Sequence, residues 1–206
     1  MKIEFDHIAV AAGTLEAGCA VVESAMAVTL APGGVHPAMA THNRLLGLGP
    51  GEYLEVIAVD PEAPPPGRPR WFDLDSFAGP PRLTNWILRT DDLEAALAAA
   101  PAGAGVPMAL QRGELRWRMA VPGDGRLPFD GCFPALIEWQ GDMHPADRLP
   151  DAGCRLTRLD IVHPSAAALS AALSPLFADE RVIVTEGPQA SIRAAFDTPA
   201  GPRVIP

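Results

Sequence analysis

The chain has 206 residues and a formal net charge of −9. With Lys2 as its single lysine, it lacks the clustered Lys and Arg that neutralise a phosphate backbone, which excludes nucleic acid as a partner. The same acidic balance disfavours anionic membrane surfaces, and the three cysteines, Cys19, Cys132 and Cys154, far apart, odd in number and without a CxxC pair, disfavour a disulfide framework and a cysteine-rich zinc site.

Met1 to His7 enters an alternating pattern directly, without the apolar run of a signal peptide, and no apolar stretch reaches the roughly 18 residues of a membrane span. A cytoplasmic location is the expectation. The first strand runs from Ile3 to Val10. Thr14 caps a helix whose apolar positions Leu15, Cys19, Val22 and Met26 recur at helical spacing.

A short strand is predicted near Ala27 to Leu30, and Pro32, Gly33, Gly34 and Pro37 mark a long loop. Strands follow over Thr41 to Leu48 and Tyr53 to Val59, joined by the tight turn Gly49-Pro50-Gly51-Glu52. Residues 1–60 thus read as strand, helix and three strands, and the proline-rich residues 61–81 as a stiff connector.

The same order returns over residues 82–150: a strand from Leu83 to Arg89, a helix from Asp91 to Ala100, and strands near Met108 to Gln111, Glu114 to Val121 and Pro134 to Trp139. A shorter third version occupies residues 151–206, with a strand from Leu156 to Val162, a helix from Pro164 to Leu173, and strands near Val182 to Thr185, Ser191 to Asp197 and Arg203 to Ile205. Repetition of this kind points to duplication of one supersecondary unit that cannot bury its sheet face alone. The fold class is therefore α+β, built of repeated βαβββ units.

Six segments carry a resemblance to a known family. They are Phe5-Asp6-His7-Ile8-Ala9-Val10, Pro32-Gly33-Gly34-Val35-His36-Pro37, Thr41-His42-Asn43-Arg44-Leu45-Leu46, Tyr53-Leu54-Glu55-Val56-Ile57, Glu114-Leu115-Arg116-Trp117-Arg118 and His144-Pro145-Ala146-Asp147-Arg148-Leu149. Together they resemble the glyoxalase-like domain family of the vicinal oxygen chelate superfamily, which includes glyoxalases, bleomycin-resistance proteins and dioxygenases. The resemblance implies paired units whose curved mixed sheet encloses a cup, with a divalent metal (Zn, Fe, Mn, Ni or Co) held by a His on a first strand and a Glu on a last strand. Those positions carry His7 and Glu55, and Glu55 is also the implied catalytic carboxylate.

The second unit departs from that pattern: Asn85 stands at the His7 position, and Ile137 and Glu138 stand near the Glu55 position. In the third unit the matching residue is Leu159, beside Asp160. Two functions therefore stay open, a metal-dependent lyase, isomerase or dioxygenase acting on a small oxygen-rich metabolite, and a non-catalytic small-molecule binding or sequestering protein. The expected partners are a small-molecule ligand and, by self-association, a homodimer.

Around the cup, His36, Asn43, Asn85 and Arg116 are candidate substrate-binding residues, and His42 is a weaker one. Arg116 and Arg118 share one strand face and Trp117 takes the other. The arginines therefore either hold a carboxylate inside the cup or cover the outer sheet surface. His144 and His163, each before a proline, read as structural or exposed. Cys132 has no His nearby in sequence to activate it as a nucleophile.

Overall fold

The computed structural model describes residues 1–206. Its strands are β1 (Ile3–Ala11), β2 (Ala31–His36), β3 (Thr41–Gly49), β4 (Glu52–Val59), β5 (Arg82–Thr90), β6 (Val106–Arg112), β7 (Leu115–Val121), β8 (Ala135–Gln140), β9 (Arg155–His163), β10 (Val182–Glu186), β11 (Ser191–Asp197) and β12 (Arg203–Ile205). Three helices, α1 (Leu15–Met26), α2 (Leu93–Ala99) and α3 (Ala166–Leu173), each follow the first strand of a unit.

The first eight strands form one curved mixed sheet in the order β2-β3-β4-β1-β5-β8-β7-β6. Its centre is the antiparallel pair β1 and β5, each flanked on its other side by a parallel partner, β4 and β8. A strand in that position is covered on both faces, which is why Ile8 to Ala12 reads as a continuous apolar run. The edge strands β2 and β6 curl toward one another and close the cup.

The remaining strands form a second sheet, β10-β9-β11-β12. It packs on the convex side, where Leu159, Ile161, Ala194 and Phe196 join Phe5, Ile8, Val10, Trp86 and Leu88 in one core. Arg181 fastens it further, with paired bonds of 2.9 and 2.8 Å to Glu52. A separate apolar cluster fills the concave side, and there the connector contributes Trp71, Phe72 and Leu74. Residues 61–81 therefore do more than link two units. Their short 3-10 turn, Trp71–Asp73, reaches into the cup against the small concave residues Ala9 and Ala11.

Three local predictions need correction. Residues Ala27 to Leu30 are not a strand: Ala27 ends α1 in the left-handed conformation (φ 56°), and the Leu30 amide bonds Glu23 Oε1 at 2.9 Å. The segment around Gly33-Gly34 is strand β2, irregular between Pro32 and Val35. A Cβ on Gly33 would lie 2.1 Å from Asn43 Oδ1, so the glycines here permit close approach of two strands. On α1, Gly18 rather than Cys19 meets the sheet, within 2.5 Å of Val56 Cγ1 if it carried a Cβ. All three cysteines are free, Cys132 and Cys154 buried and Cys19 half-buried.

Ala27 is exposed and left-handed, a backbone region that costs an L-residue energy and costs glycine almost none. Ala27→Gly is expected to stabilise the protein by about 1 kcal/mol and raise Tm by roughly 2–4 °C in a chain of this size. Thermal unfolding followed by circular dichroism checks this, and a lowered Tm would contradict the assignment of Ala27 as the helix stop.

Candidate functional site

His7 on β1 and Glu55 on β4 come together as their strand positions require. β1 and β4 run parallel with His7 opposite Tyr53 and Ala9 opposite Glu55, which leaves His7 Nε2 3.7 Å from Glu55 Oε2. Both side chains are buried. Tyr53 stacks on the imidazole, with ring centres 4.3 Å apart and an interplanar angle of 13°.

The other ring nitrogen of His7 is anchored by its sequence neighbour. Adjacent strand residues normally face opposite ways, but the pairing of β1 with β5 is irregular between Phe5 and His7. That irregularity lets the fully buried Asp6 carboxylate turn back to His7 Nδ1 at 2.5 Å. Asp6 also accepts from Trp139 Nε1 at 2.9 Å and from His144 Nε2 at 3.0 Å. Burial would raise the Asp6 pKa, but the bonds from His144 and His7 outweigh it and hold the carboxyl well below the usual range. An ionised Asp6 accepts only, so Nδ1 carries the proton and Nε2 is the atom turned to Glu55.

Glu55 Oε1 is held by Asn43 Nδ2 at 2.5 Å, while Asn43 Oδ1 accepts from the Gly34 amide at 2.8 Å and from Arg112 at 3.0 Å. The same Arg112 nitrogen lies 3.2 Å from His36 Nε2. An arginine can only donate, so His36 Nε2 accepts and its Nδ1 proton goes to Thr41 Oγ1 at 3.1 Å. Burial, reinforced by the positive charge of Arg112, pushes the His36 pKa down to about 3.

Trp117, Met119, Ile137 and Trp139 of the second unit complete a chamber of about 30 Å³. That is room for about one water-sized group. Trp71, with its indole N–H buried and unpartnered, also lines it. His7 Nε2 and Glu55 Oε2 thus face each other across 3.7 Å at the chamber.

His36 and Asn43 belong to this site. Asn85 does not: it lies beyond Phe72, in a different cavity. Arg116 is on the outer face, exposed and bonded to the Glu114 carbonyl at 3.1 Å. Alternation on β7 turns Trp117 inward and both arginines outward, and Arg118 there pairs with Glu94 and Glu138. Glu138 is therefore outside the cup. The arginine that does reach the site is Arg112, which shares the inner face of β6 with Met108 and Leu110, an i, i+2, i+4 pattern visible in the sequence. His144 is structural, as the bond to Asp6 shows, and His163 is buried at the end of β9.

The family model for the glyoxalase-like domain matches residues 5–177. The chain belongs to the glyoxalase-like domain family. No match emerged among curated proteins. Among solved structures, a hypothetical protein from Staphylococcus aureus is similar at 13% identity and TM-score 0.62, covering 93% of this chain and 88% of that one. A methylmalonyl-CoA epimerase from Mycobacterium tuberculosis matches at 16% identity and TM-score 0.43, covering 68% of this chain and 88% of its own. The fold of this glyoxalase-like chain is the vicinal oxygen chelate fold, a curled mixed sheet with three helices.

The metal implied by such a fold does not fit the donors this glyoxalase-like chain provides. Only His7 Nε2 and Glu55 Oε2 are free to ligate, because His36 Nε2 is engaged by Arg112. The facing wall of Trp117, Met119, Ile137 and Trp139 offers no strong ligand, and the Arg112 guanidinium adds a positive charge beside the site.

His36 also makes stability depend on pH in a defined sense. Its pKa is about 3 in the folded protein against 6.5 ordinarily, so between those values the unfolded chain binds the extra proton. The contribution is complete above pH 6.5 and is lost as pH falls toward 3. His36→Gln should reduce the fall in stability between pH 7 and pH 5 by up to ~1.4 kcal/mol per pH unit. Urea unfolding of both proteins at pH 7, 6 and 5 checks this, and equal slopes would refute it.

Proposed function

We propose that this protein binds a small oxygen-rich metabolite with its reacting end in the chamber and the remainder in the wider grooves outside, and exchanges a proton on it without a resident metal, as an isomerase or lyase does. The observation that carries the reading is the Asp6–His7 pair. A buried carboxylate fixes Nδ1 and leaves Nε2 directed at a second carboxylate across 3.7 Å, which suits a positioned acid–base group.

In this reading His7 Nε2 and Glu55 Oε2 form the proton-accepting pair, held by Asp6 and Asn43 respectively. The donors opposite them, Arg112 and the unpartnered Trp71 N–H, suit a carbonyl or carboxylate oxygen whose negative charge grows as the adjacent carbon loses its proton. The Arg112 side chain also lines the two wider grooves outside, of about 780 and 730 Å³, so it stands where a ligand enters. The small volume of the chamber favours a second reading, a sequestering protein that encloses one polar group and transforms nothing.

Exchange of the C3 protons of 2-oxobutanoate in deuterium oxide, followed by proton NMR, separates the two. The proposal expects exchange above background that falls at least about a hundredfold in His7→Ala, the scale of general-base contributions. Arg112→Met is expected to weaken binding about tenfold or more, as loss of a charge-assisted bond does. Binding of 2-oxobutanoate with exchange equal in the wild type and His7→Ala would sink the catalytic reading and leave the sequestering one.

A further inference from the structure

Phe72 lines the chamber and also a second, larger cavity on the opposite side, a groove of about 870 Å³ between the second unit and the third. The sheet register explains the division. Glu55, Ala9 and Asn85 lie in one row across β4, β1 and β5. Adjacent strands are ~4.8 Å apart, so Asn85 sits about two strand spacings from Glu55. The connector turn fills the space between, and Asn85 is left facing the groove.

Asn85 is 2% exposed, and its carboxamide makes no hydrogen bond within the protein, with Oδ1 fully buried. A native interior seldom leaves such a group unsatisfied, because its lost hydration is then uncompensated. Asn85 lines the groove, which is the space from which a partner can reach it.

The rest of the groove indicates what that partner carries. Arg82 stacks on Phe77 at 4.5 Å and bonds only backbone carbonyls, so its charge is not neutralised. Arg193 is exposed, and Asp160, opposite it in the ladder, is taken by Arg158. The groove acids Asp73 and Asp130 are engaged by Arg126 and His163. Three arginine side chains, Arg82, Arg126 and Arg193, line the groove against two acidic ones, Asp73 and Asp130, the walls include the Phe72 and Phe77 rings, and Asn85 supplies a carboxamide.

We propose that this groove is a second ligand site, separate from the His7 and Glu55 chamber, for a planar lactam or imide ring that bears an acidic group. A ring carbonyl accepts from Asn85 Nδ2, the adjacent ring N–H donates to Asn85 Oδ1 once the carboxamide turns toward the groove, and the acidic group faces Arg82 and Arg193. The site holds a ligand and performs no chemistry on it.

Orotate is a probe with this chemistry. Titrated into the full-length protein, it should shift the side-chain amide resonance of Asn85 in nitrogen–proton correlation spectra. Calorimetry should show affinity at least tenfold weaker in Asn85→Leu and in Arg193→Glu, and unchanged in Arg112→Met. Because Arg193 is exposed, its variant keeps the test valid even if Asn85→Leu folds poorly. An absence of binding at millimolar orotate would overturn the proposal. So would shifts confined to residues around His7, or wild-type affinity in the Arg193→Glu variant; in either case an ordered water satisfies Asn85.

Discussion

The buried Asp6 carboxylate is the interaction on which the rest of the site depends. It has no exposure and takes bonds from His7, Trp139 and His144, and so joins β1 to β8 and to the loop that leads into the last 3-10 turn. A charge this deep is tolerated only when fully bonded; breaking a buried pair typically costs ~3–5 kcal/mol. The constraint acts both ways. The donors keep Asp6 ionised, and the ionised carboxylate fixes the tautomer and direction of His7.

From there the hydrogen bonds form a chain across the first unit. His7 faces Glu55, Glu55 is held by Asn43, and Asn43 and His36 are tied to Arg112. Arg112 is the second unit's link at this end of the chain, as Trp139 and His144 are at Asp6, and it crosses the seam where the edge strands β2 and β6 close the cup. Gly33 and Gly34 make that closure possible, since a side chain on either would collide with Asn43 or with Arg112. The polar half of the cup therefore comes from β1 to β4 plus one arginine, and the other half is an apolar wall.

This asymmetry departs from a simple duplication. Paired units of equal composition would carry matching ligands on both halves; here the connector turn, with Phe72 at φ 60° and Asp73 at φ 51°, enters the cup and divides it. Left-handed backbone at a bulky aromatic is unfavourable and persists only where surroundings impose it. The surroundings in this case are the small residues Ala9 and Ala11, which leave the volume the rings occupy.

The sequence by itself determined the repeated strand-helix-strand order and the cap at Thr14, because period and capping chemistry are local properties; the pairing of His7 with Glu55 followed from the family resemblance, and the cap of α2 proved to be Asp92 rather than Asp91 or Thr90. The sequence misread Gly33-Gly34 as a loop, since glycine marks a turn and a close strand crossing alike. It chose Arg116 over Arg112, although alternation already turned Arg116 and Trp117 to opposite faces, because which face is inward depends on the curvature of the whole sheet. Only the tertiary structure decided the roles of Asp6, Trp71, Phe72 and Asn85. A β-bulge, a connector folded into the cup and the partition it creates are set by packing between segments distant in the chain, and no local pattern encodes them.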